Sequence, residues 1–277
     1  MYRELRIAVV IPAFNERGKI VDTVATIPDF VDHILVIDDA SLDDTARQAA
    51  RAALGRSEPA KVEVIRHAAN RGVGGAIITG YRRAIAIAAD VAVVMAGDGQ
   101  MDPRDLPALL DPIARGEADY VKGNRFLHPA IWTTMPASRI LGNLVLSAAT
   151  RVTSGYRHVF DSQCGYTAIH RRTLSSIDLA KLFPRYGYPN DLLSRLRVAN
   201  MRVLDVPVRP IYGAGWRSGI KLRAALHPIP WVLLRSWSHR LAAQVRHGLE
   251  SHVQRISPGA TGDAHAERTE AIAPHAL

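Results

Sequence analysis

The sequence predicts an α/β protein built on one mostly parallel sheet with helices on both faces. Three observations predict it. Short, continuous runs of β-branched and small apolar residues recur along the first 125 positions. Longer stretches of helical character separate them. Several of the runs end directly in Asp-, Pro- or Gly-rich segments. Runs buried on both faces read as parallel strands, and strands that alternate with helices read as a doubly wound sheet.

The elements follow in order. Residues 7–11, Ile-Ala-Val-Val-Ile, form the first strand, closed by Pro12. A helix is expected over 18–25. The second strand is 34–37, ended by Asp38 and Asp39, with a helix over 43–53. The third strand is 62–65, followed by a helix over 73–89, and the fourth is 91–95, ended by Gly97-Asp98-Gly99. A helix over 103–115 leads to a weaker fifth strand at 119–122. Beyond residue 124 the alternation loosens: helix 136–152, strand 166–169, helix 190–199, strand 203–206. In open α/β sheets ligands bind beyond the carboxyl ends of the strands. That rule sends Pro12 to Glu16, Asp38 with Asp39, and Asp98 to Gln100 to one place.

Composition narrows the classes. The chain has 277 residues, 48% apolar and 22% charged, which is globular in character and long enough for a large core. The lone Cys164 excludes a disulfide framework and a cysteine-based zinc cluster. No stretch of about 18 uncharged apolar residues is present, and no signal-peptide pattern opens the chain, so a soluble or peripheral protein is expected. The net charge is +9. Residues 206–255 carry 8 Lys and Arg against 1 acid, whereas residues 1–205 carry 26 against 22. A concentrated basic segment suits nucleic acid, an anionic membrane or a phosphorylated substrate. Aromatics are only 6%, and no nucleic-acid recognition motif is present, which disfavours nucleic acid.

Local readings come first. Asn15 and Glu16 suit a helix start, and Ser41 with Asp44 suits a capping box. Neither explains two adjacent carboxylates at a strand end; Asp38 and Asp39 suit ribose hydroxyls or base N–H groups. The glycines at 72, 74 and 75 lack the dinucleotide-binding spacing and follow the wrong strand. Asp102 and Pro103 read as a helix start. Asp98, between two glycines, reads as an exposed carboxylate suited to a divalent cation on a diphosphate.

Taken together these motifs resemble family 2 glycosyltransferases of the GT-A fold, nearest in pattern to the dolichol-phosphate mannosyltransferase and polyprenyl-phosphate glycosyltransferase group. The matching segments are Pro12 to Glu16; Val36 to Ser41 with Asp43-Asp44-Thr45; Asn70-Arg71-Gly72 with Gly74; Gly97 to Gln100 with Asp102-Pro103; Gly123-Asn124-Arg125; Arg139 with Gly142-Asn143; Asp161 to Tyr166; and Arg217 to Leu222. They span residues 5–225. The resemblance implies a Rossmann-like central sheet and an inverting hexosyl transfer from a nucleotide-diphosphate sugar (UDP-glucose, UDP-GlcNAc or GDP-mannose) to a polyprenyl phosphate at the cytoplasmic membrane face. It implies that Pro12, Ala13, Glu16, Asp38, Asp39, Asn70 and Gly72 line the nucleotide side. Asp98 and Gln100 would hold one Mg²⁺ or Mn²⁺. Ala96 stands where the family often has a further Asp, so the metal set is one carboxylate short. Arg125, Arg139, Arg217 and Lys221 would meet the acceptor phosphate, with Asp98 and Arg125 at the reacting centre. Asp191 has two readings: a helix cap, or a base for a hydroxyl acceptor.

The expected organisation is a catalytic domain over 1–225, a basic helical segment over 226–255 and a disordered tail over 256–277. In the helical segment Leu234, Trp237, Leu241 and Val245 share one face, with Arg235, His239 and Arg246 on another. That face suits either a membrane interface or packing on the core. Transfer to a glycolipid or soluble hydroxyl, and sugar-nucleotide binding without catalysis, are the competing functions.

Overall fold

The computed structural model describes residues 1–211 and 229–256. Arg217 and Lys221 lie outside these residues, as does the tail from 257. The chain divides into a unit of Met1–Arg240 and a second of Leu241–Leu277.

Seven strands form one sheet in the order β3-β2-β1-β4-β6-β5-β7. They are β1 (Ile7–Ala13), β2 (His33–Asp38), β3 (Val62–Arg66), β4 (Val91–Val94), β5 (Tyr120–Asn124), β6 (Thr167–His170) and β7 (Val203–Pro207). β1 pairs in parallel with β2 and β4, β2 with β3, and β5 with β7. β6 runs antiparallel between β4 and β5. The mostly parallel sheet predicted from the apolar runs is therefore present, with one reversed strand.

The helices are α1 (Ile20–Ala25), α2 (Thr45–Leu54), α3 (Val73–Ala86), α4 (Leu106–Ala114), α5 (Ile131–Thr134), α6 (Ala137–Ser154), α7 (Arg171–Ser176), α8 (Tyr188–Val198) and α9 (Ile229–Ile256). Alternation along β1 explains the two-sided core. Ile7, Val9 and Ile11 enter a cluster with residues of α1, α2 and α4, while Ala8 and Val10 enter one with residues of α3, α7 and α8. Parallel sheets need both faces covered in this way.

The structure corrects several local readings. α3 stops at Ala86 rather than 89, because Ala88 takes a left-handed φ of 55° and turns the chain into β4. The capping box of Ser41 and Asp44 does not form. Asp43 Oδ1 accepts the Thr45 N–H (3.0 Å), and Ser41 Oγ accepts the Asn15 N–H (3.0 Å) instead. Asn15 caps no helix; at φ 57° its Oδ1 accepts the Leu42 N–H (2.8 Å). α5 and α7 are additional helices of four and six residues, too short to show a period in sequence. Asp102 and Pro103 do open a helical turn, with Asp102 Oδ1 accepting the Arg104 N–H (2.9 Å).

Candidate active site

Because β1, β2 and β4 run in one direction, their carboxyl ends meet at one rim of the sheet. Backbone bonds tie that rim together: the Asp39 N–H donates to Ala13 O (2.9 Å) and the Gly97 N–H to Pro12 O (3.4 Å). The loop after β1 is sewn to the loop after β2 by the Asn15 and Leu42 bonds and by the Glu16 N–H donating to Thr45 Oγ1 (2.8 Å). Pro12, Ala13, Glu16, Asp38, Asp39 and Asp98 are thus brought together, as the strand-end rule requires.

The two carboxylates after β2 are turned inward. Asp39 is buried; Oδ1 accepts from the Arg71 N–H (2.8 Å) and Oδ2 from the Gly72 N–H (2.7 Å). His67 Nδ1 lies 2.7 Å from Oδ1, and His67 Nε2 lies 2.9 Å from Thr79 Oγ1. Asn70 Nδ2 donates to Asp39 O (3.2 Å). Asp39 therefore holds the loop that carries Asn70 and Gly72. Gly72, at φ 83°, leaves no space for a side chain: a Cβ there would lie 2.8 Å from Pro184 O. Asp38 is fully buried, with Oδ1 accepting the Ser41 N–H (3.2 Å) and Oδ2 3.1 Å from Arg66 Nε.

Asp98 sits on the loop after β4, where Oδ1 accepts the Gln100 N–H (3.1 Å). It is partly buried rather than fully exposed, and burial raises its carboxyl above the ordinary value. Glu16 is raised as well, first by burial and then by the Asp98 charge, so the two carboxylates feel one another. Burial thus favours the neutral form of each carboxyl, and a cation beside them would favour the charged form. Among the described residues no three His, Cys, Asp or Glu side chains cluster as a metal site.

On the other side of the rim, β5 delivers Arg125. Its Nε donates to Asp161 Oδ2 (2.7 Å) and its Nη2 to Asp161 Oδ1 (2.9 Å). Asp161 is fully buried; burial alone would raise it, but the Arg125 charge and hydrogen bonds hold it below the ordinary carboxylate value. Lys122, also fully buried, donates from Nζ to Cys164 O, and burial lowers its pKa. A charged residue inside an apolar strand was the sequence signal for Lys122, and the Asp161 to Tyr166 segment the signal for Asp161. The sequence alone gives neither residue a role. Gln100, Arg125, Cys164, Gly165 and Arg209 line one small cavity of about 40 Å³. The loop of Asp98 and the arginine of β5 thus face a common space. Two larger depressions lie elsewhere and contain none of the residues selected from sequence.

A family model described as glycosyl transferase family 2 matches residues 8–177. The chain belongs to glycosyl transferase family 2. It is a glycosyltransferase of the GT-A fold. It is 32% identical over 216 residues to a UDP-N-acetylglucosamine–dolichyl-phosphate N-acetylglucosaminyltransferase of Methanococcus voltae, covering 74% of this chain and 86% of that one. It is 30% identical over 240 residues to an undecaprenyl-phosphate mannosyltransferase of Micrococcus luteus, covering 84% and 96%. Among solved structures, glucosyl-3-phosphoglycerate synthase of Mycobacterium tuberculosis, in complex with Mn²⁺, UDP and glucosyl-3-phosphoglycerate, matches with a TM-score of 0.62. The match covers 85% of this chain and 81% of that one at 22% identity, and it shows the shared fold.

Within this glycosyltransferase Arg139 and Asn143 stand one turn apart on α6, Asn143 buried and Arg139 half-buried. Asp191 caps no helix: Gly187 holds that position, and Asp191 lies in the first turn of α8. Its Oδ2 accepts the Phe183 N–H (3.0 Å) and lies 3.1 Å from Arg195 Nε. That side chain staples the 183–187 segment, against which α3 begins.

Proposed function

We propose that this glycosyltransferase moves a hexose from a nucleotide-diphosphate sugar to a polyprenyl phosphate, inverting the anomeric centre, at the cytoplasmic face of a membrane. The observation that carries the reading is the cavity shared by Gln100, beside Asp98, and Arg125, anchored by Asp161. Two relatives from different organisms have polyprenyl-phosphate acceptors in their names, which supports the acceptor class.

The donor's base and ribose lie along Pro12, Ala13 and Glu16, at the end of β1 and on the loop sewn to Ser41, Leu42 and Thr45, while Asp39 fixes the loop of Asn70 and Gly72. Asp98 and Gln100 are the residues that would hold one Mg²⁺ or Mn²⁺. One or two carboxylates completed by phosphate oxygens is an ordinary Mg²⁺ arrangement, so Ala96 does not disqualify the set. Bound there, such an ion would supply Lewis-acid countercharge for the diphosphate leaving group. Arg125 orients the acceptor phosphate, aided by Arg139; Arg217 and Lys221 belong to the same proposal. A guanidinium held at two points by Asp161 has a fixed orientation, which suits recognition of a phosphate.

An acceptor phosphate oxygen attacks the anomeric carbon, a new C–O bond forms, and the bond to the diphosphate oxygen breaks with its electron pair. The phosphate monoester has a second pKa of about 6, so it is largely a dianion at neutral pH and needs no base. Position and charge then supply the rate enhancement.

The donor assignment is tested by thermal shift of the full chain with UDP-glucose, UDP-GlcNAc and GDP-mannose, each with Mn²⁺. One of them stabilises wild type and fails to stabilise Asp98→Asn. Equal shifts in the two proteins would remove Asp98 from the donor site.

A further inference from the structure

A basic cleft lies at the end of the sheet opposite the candidate active site. Arg125 follows the carboxyl end of β5, whereas the cleft is lined by Arg202, Val203 and Leu204 at the amino end of β7, the strand that runs parallel beside β5. The five residues of β5 span roughly 16 Å at about 3.3 Å per residue, so the two places are separate. The other walls come from the last turns of α6, the end of α8 and Arg240 of α9, and the cleft encloses about 1510 Å³.

Its charge is lopsided. Arg151, Arg157, Arg197, Arg202 and Arg240 line it against one carboxylate, Glu117. Glu117 is already paired with Arg115 (Oε1 to Nε, 2.7 Å), and Arg202 with Asp119 (Nη2 to Oδ1, 3.0 Å). The other four arginines form no ion pair among the described residues. Three of them are held by uncharged partners instead. The Arg151 guanidinium lies 4.6 Å from the Phe160 ring centre and that of Arg197 5.6 Å from the Tyr156 ring centre, while Arg240 donates from Nη2 to Val152 O (3.0 Å). Arg157 is exposed.

Helix dipoles call for some of these arginines. α6 and α8 both end at the cleft, and each carboxyl-terminal end carries about half a negative charge. Arg240 on the Val152 carbonyl is a cap of that kind. Two helix ends offset about one positive charge of four, so about three remain. Gly155, the left-handed cap of α6 at φ 81°, lies between two of the arginines: a Cβ there would meet Arg240 Nη1 at 2.7 Å and Arg197 Cγ at 3.6 Å. Like charges gathered in this way repel, and an anion among them removes that cost. A carboxylate would supply one charge and one fork. Several guanidiniums around one concave space suit several phosphate groups, each able to accept two parallel N–H bonds. Concavity favours a small molecule over an extended surface.

We propose that this cleft is a second ligand site, for a soluble anion carrying two or more phosphate groups. It uses no residue of the donor or acceptor site and holds whichever acceptor the enzyme glycosylates.

The test is calorimetric titration of the full chain with inorganic diphosphate, with EDTA present so that no cation assists binding at the donor site. Wild type binds diphosphate about tenfold more tightly than orthophosphate. Arg157→Gln and Arg197→Gln each weaken diphosphate binding about fivefold to tenfold, whereas Arg125→Gln binds it like wild type. Diphosphate raises the melting temperature of wild type more than that of Arg157→Gln. Equal melting temperatures without ligand confirm that the variants are folded, and Arg157→Gln, at an exposed side chain, carries the test if Arg197→Gln unfolds. Affinity lost in Arg125→Gln would place the anion at the active site and overturn the proposal. So would affinity unchanged in Arg157→Gln, equal affinity for orthophosphate and diphosphate, or no binding. Phosphatidylglycerol vesicles that bind through Arg157 while diphosphate does not would give the cleft to a lipid surface, which also overturns it.

Discussion

Arg125 and Asp161 form a two-point pair, Nε to Oδ2 at 2.7 Å and Nη2 to Oδ1 at 2.9 Å, with Asp161 fully buried beneath the arginine. The Arg125 backbone N–H also donates to Asp161 Oδ2 (3.1 Å), so the carboxylate fixes both the side chain and the loop. Replacing Asp161 with Ala removes the buried carboxylate from a partly buried guanidinium and is expected to cost about 3–5 kcal/mol. Asp161→Asn keeps the shape and loses the charge. It is expected to raise KM for the lipid phosphate by about tenfold, with donor affinity unchanged, as measured by transfer kinetics and by donor thermal shift. The folded carboxyl lies below its ordinary value. Its stabilisation is therefore complete above about pH 4 and is lost as pH falls through the folded value. Acid unfolding of wild type and Asp161→Asn should converge at low pH.

Asp98 predicts the opposite sign. Burial raises its folded pKa, so its ionisation works against the apo fold. The stability this group lends is present below about pH 4 and is lost as pH rises through the folded value. A bound cation reverses that loss. The Mn²⁺-dependent thermal shift should grow with pH across the same range and vanish in Asp98→Asn. The apo melting temperature of Asp98→Asn should equal or exceed that of wild type near neutrality. A pH-independent Mn²⁺ shift retained by Asp98→Asn would place the ion elsewhere.

Asp191 separates the phosphate acceptor from a hydroxyl acceptor. Its carboxylate holds the Phe183 N–H and the Arg195 side chain. Asp191→Asn is expected to lower stability by about 1–3 kcal/mol. The pH dependence of kcat should remain that of wild type. A folded Asp191→Asn protein without turnover would mean that a base is needed, and so that the acceptor is a hydroxyl.

Gly80 tests how the sheet bears α3. A Cβ at Gly80 would overlap Val10 Cγ1. Gly80→Ala should cost about 1–3 kcal/mol by overpacking. Val10→Ala in the same chain should return part of that cost, so the two changes are non-additive in urea melts. Simple additivity would show that the core relaxes around the methyl group.

How far the sequence carried the fold follows from these residues. β1, β2 and β4 are legible as short apolar runs, β3, β5 and β7 are weaker because Glu63, Lys122 and Asp205 interrupt them, and the strand-end rule brings Pro12, Asp38 and Asp98 to one rim. The reversal of β6 was not visible, since period-two patterning carries no strand direction. The direction of a side chain was the other blind spot. Asp39 reads like an open carboxylate and in the structure is saturated by His67, Arg71 and Gly72. Asn15 and Ser41 read like caps and bond to each other's loops. Partners 26 to 33 residues away, which only the fold supplies, decided those bonds. α6 was legible as a helix, but only the fold shows that its buried side carries Asn143 and Thr150.

The central claim is that a lipid phosphate receives the sugar. It is tested most directly by supplying the full chain with radiolabelled UDP-glucose, UDP-GlcNAc or GDP-mannose, Mn²⁺, and either a polyprenyl phosphate or the matching polyprenol. One donor should label the polyprenyl phosphate and leave the polyprenol unlabelled, and Asp98→Asn should abolish the product. Labelled polyprenol, or no labelled lipid with any of the three donors, would contradict the account.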